Sequence, residues 1–255
     1  MKKIKSPINW VGNKYKYIDI VNKLVRGNVY QEVHELFMGS GNLLINLECN
    51  AELYIGFDKQ KLVPKLYNEL IKHTYSHSDI ESVLNGFNRF SKKEDYYIFR
   101  DYWNERFLSD DFDKSFVVET VLLLKMCSNS MVRFNPKHGY FNQGFRGLGK
   151  KKEFFTDRMK NMIVDSLNQL AVRLGNGKYQ FINSDFKDYE DEGANNLLLI
   201  DPPYILRQDM YDTDFTEELD NKVLDLISNT KNDFIYFNYL ERDGIAHDKL
   251  IKIIE

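Results

Sequence analysis

Only two cysteines occur in 255 residues, Cys49 and Cys127. They lie far apart and fit no metal-ligand spacing, so they read as small buried residues of a reduced compartment. No stretch approaches the ~18 uninterrupted apolar residues of a membrane span. The basic start, Met1-Lys2-Lys3-Ile4-Lys5, is followed by no apolar signal core. There is no internal repeat and no low-complexity linker. Excess positive charge is missing too. The net charge is −3, so no global basic field advertises nucleic acid, and any such surface must be local. These absences predict a cytoplasmic protein with no membrane partner. The length suits one large domain or a domain carrying an insertion.

Strand-like runs fall at Val33 to Phe37, Leu53 to Asp58, Tyr179 to Ile182, Leu197 to Asp201 and Phe234 to Phe237. Helical patterns separate most of them: Asn42 to Cys49, Lys61 to His73, and Thr216 to Thr230 with a capping Thr and acids in its first turn. The alternation predicts an α/β fold whose mostly parallel sheet is covered on both faces. Residues 74 to 174 break the rhythm. They are rich in Phe, Tyr, Lys and Arg, with helical apolar spacing at Phe116 to Met126 and Met159 to Leu174. The reading is a sheet domain made of 1–73 and 175–255, with a mainly helical lobe inserted at 74–174.

Asp201-Pro202-Pro203-Tyr204 is the most informative tetrapeptide. It follows the apolar run Leu197 to Ile200, so it sits in the crevice beyond a buried strand's carboxyl end, where open α/β sheets bind ligands. Two prolines fix φ and remove two backbone donors. The Asp201 carboxylate and nearby carbonyls then form an acceptor cluster beside the Tyr204 ring, which suits a planar group bearing an amine. Glu35-Leu36-Phe37-Met38-Gly39-Ser40-Gly41-Asn42 closes the first strand. Its small residues admit a ligand close to the backbone, and the predicted helix start offers free N–H groups. Asp58 ends the second strand about 20 residues after the glycines, the position that grips ribose hydroxyls in nucleoside-binding sheets.

These motifs appear in one order. Asn9-Trp10-Val11-Gly12-Asn13-Lys14 comes first, then Glu35 to Gly41, Gly56-Phe57-Asp58, a long insertion, Ser184-Asp185-Phe186, and Asp201 to Tyr204. Over nearly its whole length the chain resembles the Dam-type, class alpha DNA adenine-N6 methyltransferases. In that group the cofactor motifs precede the target-recognition region and the catalytic motif follows it. The resemblance implies a Rossmann-like methyltransferase sheet, S-adenosylmethionine as cofactor and double-stranded DNA as partner, in a restriction–modification or phage setting. It implies that Trp10 and Lys14 close over the cofactor. Phe37, Gly39, Ser40 and Gly41 back it, Asp58 takes the ribose, Asp185 and Phe186 flank the adenine, and Asp201 borders it. Asp201, Pro202, Pro203 and Tyr204 form the catalytic motif.

The insertion holds the predicted DNA reader, Ser128 to Asn135 and Gly139 to Asn142. From Lys125 to Lys160 there are nine basic residues and two acids, Glu153 and Asp157, a local excess of +7 (nine minus two) in a chain of net charge −3. The DNA-contact candidates are Ser130, Met131, Arg133, Asn135, Asn142, Arg146 and Lys150. Arg133 is the candidate for a bidentate guanine contact, and Lys150, Lys151 and Lys152 supply phosphate neutralisation. Two features depart from the family. Gln143-Gly144-Phe145 stands where a proline usually precedes the phenylalanine, which leaves a GATC target open. The chain also ends at Glu255, soon after the fifth strand, where the family usually continues through a final strand pair. A catalytically inactive or split DNA-binding homologue is therefore the alternative, and an RNA or protein-glutamine amine methyltransferase a third reading.

Overall fold

Four consecutive apolar residues, Leu197–Ile200, form β4, whose side chains are all buried. Leu197 and Leu199 point to one face of the sheet, Leu198 and Ile200 to the other. Strands buried on both faces need an unbroken apolar run, which is why β4 does not alternate with polar residues. In this computed structural model, which describes residues 2–10, 12–147, 154–204, 215–242 and 244–254, β4 pairs in parallel with β1 (Val29–Glu35) and β5 (Asp233–Tyr236). On the other side of β1 follow β2 (Asn50–Asp58) and β3 (Tyr179–Asn183), also parallel. The sheet order is therefore β3-β2-β1-β4-β5. Between β1 and β4 the chain direction of assembly reverses, which makes the carboxyl ends of these two strands the ligand crevice of the doubly wound fold. The predicted α/β class holds.

One face carries α1 (Ile18–Val25) and the helices between β2 and β3: α2 (Leu62–Leu70), α3 (His77–Gly86), α4 (Lys93–Leu108), α5 (Lys114–Met126) and α6 (Asp157–Leu174). All six contribute to a single hydrophobic core that includes Val33, Leu197 and Leu199. The other face carries α7 (Glu217–Asn229), capped by Thr216, and α8 (Asp248–Ile254). α7 starts with three acids in its first turn, in keeping with the positive end of the helix dipole.

One predicted element differs. Residues 42–49 form no α-helix; a single 3-10 turn, Leu44–Asn46, interrupts an irregular loop. The cause is tertiary. The Asn42 side chain accepts from Ser6 N–H at 2.9 Å, and the Asn46 side chain both accepts from Ile4 N–H (2.7 Å) and donates to the Ile4 carbonyl (2.8 Å). Asparagine side chains compete with the helical backbone ladder in this way. Here they fasten the N-terminal segment, which carries Trp10 and Lys14, to the loop after β1. Near the carboxyl end, a two-stranded hairpin, β6 (Glu241–Arg242) and β7 (Ile245–Ala246), precedes α8.

Asn46→Ala leaves the buried Ile4 N–H without its acceptor, which costs about 1–3 kcal/mol for such a group. Chemical denaturation should show that loss. An unchanged midpoint would mean that the asparagine fastening does not hold the N-terminal segment.

Candidate active site and nucleic-acid interface

The crevice between β1 and β4 is built around one ion pair. Lys14 Nζ lies 2.5 Å from Asp201 Oδ2, and Tyr204 donates its hydroxyl to Oδ1 of the same carboxylate at 2.8 Å. Lys14 also donates to the Gly12 carbonyl at 2.8 Å. Its ammonium stands over the rings of Tyr204 (5.3 Å) and Phe237 (5.5 Å), both within cation–π reach. The lysine side chain is only 9% exposed. A charge so far withdrawn from water needs its partner, since an unpaired buried ion carries an uncompensated desolvation cost. Burial raises the Asp201 carboxyl above its usual range, and Lys14 and the Tyr204 hydroxyl pull it back.

A second carboxylate holds the glycine turn. Asp58 accepts from Gly39 N–H at 2.7 Å and from Gln60 N–H at 2.8 Å. Each carboxylate oxygen retains acceptor capacity for a further donor. Burial raises Asp58 to about 6, against the pull of these two N–H groups. Gly39 has φ +49°, and a Cβ there would come within 3.0 Å of Trp10 Cδ1. A side chain there would press on the indole, and the left-handed backbone favours glycine. Phe37 packs on Phe186 with ring centroids 4.8 Å apart, and Asp185 pairs with Lys59 at 3.3 Å.

The structure thus gathers Trp10, Lys14, Phe37, Gly39, Asp58, Asp185, Phe186, Asp201 and Tyr204 along the carboxyl ends of four strands. Ser40 and Gly41 behave differently. The Ser40 hydroxyl accepts from the Asn42 side chain and its carbonyl from Tyr67. A Cβ on Gly41 would press on Met38 and Tyr67. Both residues face the interior, so they shape the turn from behind. The predicted free N–H groups are largely in use: Gly39 N–H serves Asp58, Gly41 N–H the Met38 carbonyl, and Leu44 N–H the Glu35 carboxyl.

Sequence reading did not assign Glu35, Phe237 or Tyr239. Glu35 is 3% exposed, and burial holds its carboxyl well above the ordinary range, with Asp201 and Asp58 adding to the effect. Tyr239 packs edge-on against Tyr204 at 4.9 Å. The available signal for both aromatics was their place just past the fifth strand, opposite Tyr204 in an open sheet.

The predicted reader is an irregular hairpin. Isolated antiparallel bridges join Cys127 to Phe145 and Phe134 to Phe141. Phe134 stacks on Phe107 at 4.9 Å, and Phe141 meets Trp103 edge-on at 5.7 Å. These rings root the hairpin in α4 and leave Arg133 and Arg146 exposed. Ser130 and Met131 lie partly exposed at the near end, with Ser130 in the left-handed region (φ 52°) and its hydroxyl 3.5 Å from Arg146 Nη1. Asn142 is partly exposed on the return strand. The Asn135 side chain instead accepts from Lys137 and His138 N–H and shapes the hairpin turn. Val132 N–H donates to the Asn9 carbonyl at 3.2 Å, which ties the hairpin to the segment carrying Trp10 and Lys14. Lys150, Lys151 and Lys152 lie outside the described residues.

A sequence model of the family described as D12 class N6 adenine-specific DNA methyltransferase matches residues 10–247. The chain is similar to the type II methyltransferase M.FokI of Planomicrobium okeanokoites, at 24% identity over 98% of the chain and 38% of that protein. It is also similar to the modification methylase StsI of Streptococcus sanguinis, at 23% identity over 96% of the chain and 35% of that protein. The chain therefore spans little more than a third of the length of these curated relatives.

Carboxyl-carbon NMR should find Asp58 half-protonated near pH 6. Because its folded pKa lies above the usual 3.8, the ionised form is the disfavoured one in the fold. Its contribution to stability is therefore fully present below about pH 4 and is lost as pH rises through about 6. A midpoint near 4 would contradict the buried placement.

Proposed function

The chain belongs to the D12 class of N6 adenine-specific DNA methyltransferases, and on that premise we propose that it transfers a methyl group from S-adenosylmethionine to the N6 amine of an adenine flipped out of duplex DNA. Adenine-N6 DNA methyltransferases of this family use S-adenosylmethionine as methyl donor. The observation that carries the reading is the nitrogen donor already seated at the acceptor beyond β4, Lys14 Nζ on Asp201 Oδ2.

The residues fit the cofactor. Asp58 has acceptor capacity for the ribose hydroxyls, and Trp10 against the bare Gly39 backbone bounds a flat cleft. Phe37, Phe186 and Asp185 line the end suited to a base. Bound there, the cofactor supplies an activated methyl group on a sulfonium.

The adenine amine takes the place of Lys14 Nζ at Asp201 Oδ2. The exchange keeps a hydrogen-bond donor on Asp201, and the displaced Lys14 ammonium retains the Gly12 carbonyl and the rings of Tyr204 and Phe237. Tyr204 holds the other oxygen and fixes the carboxylate's orientation. Pro202 and Pro203 contribute no N–H that would compete for nearby acceptors. Adenine's amine is a poor nucleophile because its lone pair is conjugated into the ring. Hydrogen bonds to Asp201 and to the Pro202 carbonyl draw density toward nitrogen and stabilise the positive charge that grows there as the carbon–sulfur bond breaks; one N6 proton then leaves by way of the hydrogen bond to Asp201. The Tyr204 ring stacks on the base. Extrusion from the duplex costs a few kcal/mol, which contacts made by the flipped base and the hairpin offset.

Residues 74–174 form the target-recognition lobe, and 1–73 with 175–255 the catalytic domain. Arg133 on the exposed hairpin reads a guanine. Ser130, Met131, Asn142 and Arg146 flank it, Asn135 sets the turn, and Lys150 neutralises phosphate. The names of the similar proteins support a modification role beside a restriction enzyme. Gln143-Gly144-Phe145 supports a target that need not be GATC.

Asp201→Ala should lower the single-turnover rate by roughly 10²–10³ while DNA affinity stays within a few-fold. An unchanged rate would remove Asp201 from the chemistry. Arg133→Ala should cost ~1–3 kcal/mol of discrimination at one base pair. Mapping methylated adenines by long-read sequencing checks this; an unaltered motif would move the reader elsewhere in the lobe.

A further inference from the structure

A cavity of about 340 Å³ lies over β1 and β2, on the sheet face that carries α7, and neither Lys14 nor Asp201 lines it. It touches the proposed cofactor cleft only through Asp185 and Phe186. Three rings form its inner corner. His34 and Phe57 stand 5.5 Å apart at 71°, His34 and Tyr189 5.8 Å apart at 88°, and Phe57 and Tyr189 5.6 Å apart at 75°. The corner is rigid. His34 Nδ1 lies 2.8 Å from the Tyr189 hydroxyl and Nε2 lies 2.8 Å from Glu32 Oε2. Four carboxylates beyond Asp185 line the same cavity: Glu32, Asp188, Glu190 and Glu192. Among the described residues no lysine or arginine lines it.

The three rings pack edge to face on one another, and the partly exposed Phe57 and Tyr189 line the cavity, where aromatic rings attract cations. Carboxylates arrayed beyond them favour a ligand with more than one positive charge. A chain of methylenes between the charges suits the apolar floor of Leu36 and Phe57. We propose that this cavity is a binding site for a linear aliphatic polyamine, adjacent to but separate from the cofactor cleft. Its separation from the cofactor rests on the cofactor site proposed above. Because Phe186 and Asp185 form a wall common to both spaces, occupancy of one is felt at the other, and any such coupling is reciprocal.

Spermidine is the probe. Calorimetric titration of the chain without DNA, at about 0.15 M salt to screen diffuse attraction, should give one saturable site. Glu190→Gln with Glu192→Gln, both exposed and remote from Asp201, should weaken it about tenfold, as should Glu32→Gln, each losing charge-assisted contacts. Saturation of aromatic protons should transfer to spermidine methylenes. With saturating S-adenosylmethionine, spermidine should still bind, its affinity changed less than about tenfold. No saturable binding, binding indifferent to the acid variants, or strict competition with the cofactor would each overturn the proposal; the last would make the cavity the adenine end of the cofactor cleft. Failure of the chain to bind S-adenosylmethionine counts against the proposed function, while the spermidine titration decides the cavity independently.

Discussion

The contact between Lys14 and Asp201 joins residues 187 positions apart across the mouth of the sheet. Everything else in the crevice is arranged to keep that contact dry and in place. The asparagine fastenings hold the segment that carries Lys14 against the loop after β1. The apolar strand β4 delivers Asp201 to the crevice, and the Tyr204 hydroxyl fixes its rotation. Two more carboxyls, the buried Glu35 and the partly buried Asp58, stand nearby and are raised by burial. A crevice in which these carboxyls outnumber the lysines favours an incoming cationic cofactor and an amine donor over anionic ligands. Low local dielectric strengthens each of these preferences and makes each unpaired group costly.

The same segment also links chemistry to recognition. Asn9 receives the Val132 N–H from the reader hairpin, and one residue later Trp10 lies on the glycine turn. If the hairpin meets DNA as proposed, this backbone hydrogen bond is a direct connection between it and the segment that carries Trp10 and Lys14. The hairpin is itself rooted by Phe134 and Phe141 in the aromatic stack of Trp103 and Phe107. It has little regular pairing of its own, only isolated bridges. Its geometry is therefore borrowed from the helical layer beneath it.

Much of this was legible in the sequence because strand ends are strongly marked. Asp58 and Asp201 each close an apolar run with a carboxylate, and both strands end within a residue of the predicted places. α7 was legible from Thr216 and its three acids. The misread helix after β1 has a clear reason: Asn42 and Asn46 bond to residues 4 and 6, and no local pattern encodes a partner about 40 positions away. Glu35 escaped notice because a carboxyl inside a glycine-rich motif reads as a solvated turn residue, whereas the sheet buries it. The pairing of Lys14 with Asp201 has no local signal, since it needs β1 beside β4 and the N-terminal segment fastened to the loop after β1. Ser40 and Gly41 belong to the predicted turn, but the turn's outward and inward faces could be told apart only once Tyr67 was seen behind it.

The most direct test is to incubate the purified chain with unmethylated duplex DNA and S-adenosylmethionine whose methyl group carries deuterium, and then to weigh the nucleosides by mass spectrometry. The account predicts labelled N6-methyladenine from the wild-type chain. Labelled methyl on cytosine, or no label on any base, would contradict it.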